Sequence, residues 1–110
     1  MKEKENIKNQ VINFLETFNI NIGKRINFNE AICTNKENFD RHFTTYSSTE
    51  FELQHFAARI SGARIMFMGE TLNYEISIDR IIKFEKTDEN FLFLEKYSDE
   101  IFRKTIISIV

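Results

Sequence analysis

The chain has 110 residues, 42% hydrophobic and 29% charged, with a net charge of −2. That balance suits one soluble domain with one core and argues against wholesale disorder, and a pI near 5.7 lacks the basic footprint of a duplex nucleic-acid binder. A single cysteine allows neither an internal disulfide nor a cysteine-rich zinc site.

The opening MKEKENIKNQ is charged and no apolar region of signal-peptide type follows it. No run approaches the roughly 20 apolar residues of a membrane span. A reduced, cytoplasmic setting without membrane is the expectation. Twelve Phe and no Pro or Trp are the unusual features. Each Phe can bury about 150–250 Å², so a core can form without staples, and the absence of Pro excludes a PxxP ligand segment. Abundant Ile, Asn, Lys and Phe point to an AT-rich coding genome, as in a low-GC bacterium, its phages or its mobile elements.

Residues 3–18 carry Ile7, Val11, Leu15 and Phe18 at helical spacing, with Ile12 and Phe14 widening the stripe. Asn19, Asn21 and Gly23 tolerate turn dihedrals and end that helix. Residues 24–34 stay open: Ile26 and Phe28 alternate as in a strand, whereas NEAIC fits one helical turn. Thr34-x-x-Glu37 and Thr49-x-x-Glu52 then read as two capping boxes. They open segments with Phe39, Phe43 and Tyr46, then Leu53, Phe56, Ala57 and Ile60, at three- and four-residue spacing. Helices over 35–46 and 50–61 follow, closed by Gly62 in a left-handed position.

Beyond Gly62 the apolar period falls to two. Ile65 and Phe67, then Leu72, Tyr74 and Ile76, flank a hairpin turn at Gly69-Glu70. Asp79-Arg80 marks a bend or bulge, and Phe84 continues a strand to about Lys86. Thr87 to Asn90 is a turn, FLFLEKY a strand, Ser98 to Glu100 another turn, and IFRKTIISIV closes the sheet. The expected fold is therefore α+β over 1–110 as one domain. An N-terminal helix and a helical hairpin (about 1–61) precede an antiparallel meander of about five strands (about 63–110).

Chemistry has little to stand on. Cys33 would need an imidazole beside it to act as a nucleophile. His42 and His55 each precede a core Phe, and a structural Cys with two border His accounts for all three residues. No zinc spacing and no glycine-rich phosphate loop is present, so no cofactor, metal or catalysis is expected. The hairpin followed by strands also fits a winged-helix DNA reader, with Arg59 and Arg64 as its cations. Glu50 and Glu52 at the start of its recognition helix would repel phosphates.

The reading that remains is a protein-binding module. Its sharpest form is a phage or mobile-element inhibitor, or a toxin-neutralising immunity protein, that occludes a basic nuclease or toxin surface. The candidate contact is the acidic sheet face around Glu75, Glu85 and Glu95, with Phe51, Phe91 and Phe93 as aromatics for an interface. A homodimer covering one sheet face is left open.

Overall fold

The computed structural model describes residues 2–34, 44–59 and 63–110. Helix α1 (Lys2–Thr17) runs into a 3-10 turn (Phe18–Asn21). Gly23 then leaves the turn at φ 94°, a left-handed backbone that glycine adopts without steric cost. Strands β1 (Arg25–Cys33) and β2 (Thr45–Glu52) follow, then β3 (His55–Arg59), β4 (Arg64–Met68) and β5 (Asn73–Ser77). A 3-10 turn (Ile78–Arg80) leads to β6 (Ile81–Lys86), β7 (Asn90–Ser98) and β8 (Ile101–Ile109).

The strands form two antiparallel sheets, ordered β2-β1-β8-β7-β6 and β3-β4-β5. The last strand returns beside the first, with Phe28 opposite Ile107 and Glu30 opposite Thr105. Both sheets turn apolar side chains toward a common core: Ile26, Phe28, Phe93 and Ile107 from one, Ile65, Phe67 and Ile76 from the other. Helix α1 closes one end with Val11 and Phe14, joined by Phe18 from the turn that follows. Phe14 packs its ring on Phe18, Phe67, Phe84 and Phe93 at centroid distances of 4.7–6.2 Å, largely in the edge-on geometry that ring quadrupoles favour. Ile7 and Leu15 pack on this core half-buried, while Ile12 stands 43% exposed. The five-stranded sheet also buries Ala31, Cys33, Leu94 and Phe102, which alternate with the inward residues and so belong to its other face.

The α+β character is as expected, but the helical hairpin is not there. Residues 45–52 and 55–59 are strands, and only 35–43 of the first expected helix, with Glu37, Phe39, His42 and Phe43, lies outside the described residues, as do Ile60, Ser61 and Gly62. The physical reason is at Phe51. A helix would leave it off the stripe of Leu53 and Phe56, whereas a strand sends Phe51 and Leu53 inward together. Phe51 then stacks on Phe28 at 5.2 Å, and β2 gains eight backbone pairs with β1. The ambiguous segment 24–34 is strand for the same reason, since Ile26 and Phe28 are wholly buried between two neighbours.

The expected five-strand meander is also divided. Its strands are β4 to β8, yet the chain changes sheets at the 3-10 turn over Ile78–Arg80, beside a register shift between Ile81 and Lys83. Gly69 serves the expected hairpin turn, its N–H donating to the Leu72 carbonyl at 2.7 Å. A Cβ there would lie 2.7 Å from Cδ2 of Phe51, so the glycine admits a close approach of the turn to β2.

Candidate interaction site

Alternation places residues of one parity on the inward face of each strand. On β1, β7 and β8 that face begins apolar and then changes character. Phe28 gives way to Glu30, Phe93 to Glu95 and then Tyr97, and Ile107 to Thr105 and then Arg103. These groups meet at the end of the inter-sheet space remote from Phe14. Arg103 donates from Nε to Oε2 of Glu30 at 2.8 Å, and from Nη1 to Oε1 of Glu95 at 3.3 Å and to the Glu75 carbonyl at 2.9 Å. Glu95 also accepts from the Ser77 N–H at 2.9 Å and from the Tyr97 hydroxyl at 2.8 Å. The Tyr74 hydroxyl donates to Glu30 at 3.2 Å and shares a 2.8 Å hydrogen bond with Thr105.

The network ties β5 of the smaller sheet to β1, β7 and β8 of the larger. Two rings hold its cation in place: Arg103 lies 4.5 Å over the Tyr74 centroid, and Tyr74 stacks on Phe28 at 4.6 Å. Burial pushes the Tyr74 phenol up to about 12. Glu95 is fully enclosed; burial raises its pKa, opposed by the Ser77 N–H, Arg103 and Tyr97. Burial alone would lower the pKa of Arg103, but Tyr74, Glu95, Tyr97 and Glu30 outweigh it and hold the guanidinium charged.

Above the network a depression of about 450 Å³ is lined by Glu30, Ile32, Tyr97, Ile101 and Arg103. Ile32, Tyr97 and Ile101 are 40%, 38% and 48% exposed. Arg80 lies 4.7 Å over the Tyr97 ring and donates to the Tyr97 carbonyl at 3.2 Å. Tyr97 is therefore both restrained and partly open to solvent. This arrangement can present a rigid apolar and aromatic surface. Glu95, whose pKa burial raises, has no exposed surface with which to touch a substrate.

The acidic trio does not share a face. Glu95 points into the interior; Glu75 is half-buried on the outward side of β5, and Glu85 is exposed at edge strand β6. Period-two alternation separates them: Glu95 has the parity of buried Phe93, whereas Glu75 lies between buried Tyr74 and Ile76. Of the aromatics, Phe51 and Phe93 are buried, and Phe91 is partly buried against the core. None of the three stands out as an exposed anchor. The network itself was missed, although Glu95 following Phe91 and Phe93 at period two, and Arg103 preceding Thr105 and Ile107, signalled inward charges.

Cys33 is buried at the end of β1, and His55 is exposed at the start of β3 in the other sheet; His42 lies outside the described residues. Among the described residues no group of three or more His, Cys, Asp or Glu is placed to hold a metal ion, and no helix is long and apolar enough to cross a membrane. No family model, no curated protein and no solved structure matches the chain.

Proposed function

We propose that the chain is a small protein-binding module that occludes a surface of a partner protein, with the open end of the inter-sheet space as its contact. The observation that carries this reading is the trio Ile32, Tyr97 and Ile101 around one depression, seated on the Arg103 network. Single exposed apolar residues are ordinary. Three that share a depression, beside a restrained Tyr and Arg, resemble the preorganised centre of an interface. Arg103 and Arg80 balance Glu30 and Glu95 there when both carboxyls are ionised, so the contact rests on the apolar and aromatic side chains rather than on net charge. The small size and the AT-rich character of the composition suit an inhibitor or a toxin-neutralising immunity protein of a phage or mobile element. The winged-helix alternative has lost its recognition helix, since residues 50–52 and 55–59 are strand.

The test is affinity capture from native lysate after nuclease treatment, with wild type and Ile101→Asp in parallel. Wild type is expected to retain one stoichiometric protein that the variant loses. Retention of nucleic acid alone, or equal retention by the variant, would overturn the reading.

A further inference from the structure

The edge of a sheet exposes backbone groups that another chain can pair with, and folds blunt such edges with lysines, prolines, a covering helix or charges turned inward. Strand β6 carries Lys83 and Lys86, and α1 packs against it. Strand β5, NYEIS, is an edge of the smaller sheet with neither Lys nor Pro, and it pairs with β4 without a shift. Its one charged side chain, Glu75, reaches Arg64 of β4 at 3.8 Å.

Which backbone groups of β5 face outward follows from the bonds at its two ends. The Leu72 carbonyl accepts from the Gly69 N–H at 2.7 Å, and the Ile78 N–H donates to the Ala63 carbonyl at 2.7 Å. In an antiparallel ladder alternate residues share a direction. Tyr74 and Ile76 therefore face β4, while Asn73, Glu75 and Ser77 face away from it. Two of the groups turned away are nevertheless bonded, and to side chains of the other sheet. The Glu75 carbonyl accepts from Arg103 Nη1 at 2.9 Å, and the Ser77 N–H donates to Glu95 Oε2 at 2.9 Å. These groups flank Ile76, where one residue of a parallel neighbouring strand would offer its N–H to the carbonyl and its C=O to the N–H. Here a guanidinium supplies the donor and a carboxylate the acceptor, and the two side chains are themselves joined at 3.3 Å.

We propose that Glu95 and Arg103 stand in for a strand residue and hold the β5 edge closed to strand addition by a second chain. This does not rest on the partner-binding reading above. Both groups are fixed in place. Glu95 is fully enclosed and also accepts from the Tyr97 hydroxyl. The Arg103 side chain is 15% exposed, bonded to Glu30 and laid over the Tyr74 ring. An incoming strand would have to break this enclosed ion pair to reach the two groups, a larger loss than two new backbone hydrogen bonds return.

Amide hydrogen exchange of the whole wild-type chain is the first test. The Ser77 amide should be protected at least about tenfold more than those of Asn73 and Glu75, which face the same way with no strand beyond them among the described residues. Glu95→Gln keeps an acceptor and should keep that protection. Glu95→Leu combined with Arg103→Met fills the space without donor or acceptor, a kind of replacement that folds tolerate, and circular dichroism checks the fold. Wild type and Glu95→Gln should sediment alike, whereas the double variant should self-associate as its concentration rises from about 5 to 500 μM. Adding Ser77→Pro removes the freed N–H at a position whose φ of −83° is close to proline's range. It should return the double variant to wild-type sedimentation. A wild-type Ser77 amide that exchanges as readily as those of Asn73 and Glu75 overturns the proposal. So does a folded double variant that associates no more than wild type, or an association that Ser77→Pro leaves unchanged.

Discussion

Near α1 the inward positions of β7 and β8 are Phe91, Phe93, Ile107 and Ile109, whereas further along the same faces they are Glu95, Tyr97, Thr105 and Arg103. The backbone and its pairing are continuous across the change; only the side chains differ. The apolar end is closed by Phe14 and Phe18 and is held by ring packing and exclusion of water. Among the described residues no helix lies over the polar end, which is held by hydrogen bonds around one guanidinium. Alternation thus decides which side chains share the interior, and the choice of residue decides whether that stretch closes as core or opens as a surface.

The largest effect should come from the closed end. Phe14→Ala removes a ring packed against both sheets and should cost about 3–5 kcal/mol in denaturant unfolding; a loss below about 1 kcal/mol would mean that α1 is not the lid of this core. Arg103→Ala should follow at about 3 kcal/mol, because it strands enclosed Glu95 without its counter-charge. Combining it with Glu95→Gln should recover part of that loss, since the buried charge goes with its partner.

The smallest effect is a pH slope. Burial raises the Glu95 pKa above its ordinary 4.5, so the folded chain binds that proton more tightly than the unfolded chain. The stability this contributes is full below about pH 4.5 and is lost as pH rises through the elevated folded value. Exposed Glu50, lowered by its hydrogen bond to Arg25, acts weakly in the opposite sense. Unfolding free energies measured from pH 4 upward should therefore decline more steeply in wild type than in Glu95→Gln. Parallel curves would remove Glu95 from the account.

Much of the strand-rich half was legible because alternation and turn residues agreed there: Gly69-Glu70 falls between β4 and β5, and the turns expected at Thr87 to Asn90 and Ser98 to Glu100 lie at the two ends of β7, each overlapping it by one residue. The N-terminal helix was legible from its apolar stripe. Residues 45–59 were not, because Leu53, Phe56 and Ala57 satisfy a helical period while Phe51 and Leu53 satisfy a strand period. Only pairing with β1, a contact distant in sequence, decides between them. The interior network was hidden for a related reason. Glu30, Glu95 and Arg103 come from three strands, and their meeting depends on the β1–β8 and β7–β8 registers.

The most direct test of the central claim, that the open polar end is the docking surface, compares partner retention by wild type, Ile101→Asp and, as a control at an exposed position of β2, Ser48→Lys after nuclease treatment. The account predicts retention of one protein by wild type and Ser48→Lys and its loss from Ile101→Asp alone. Retention by all three, or loss only from Ser48→Lys, would contradict it.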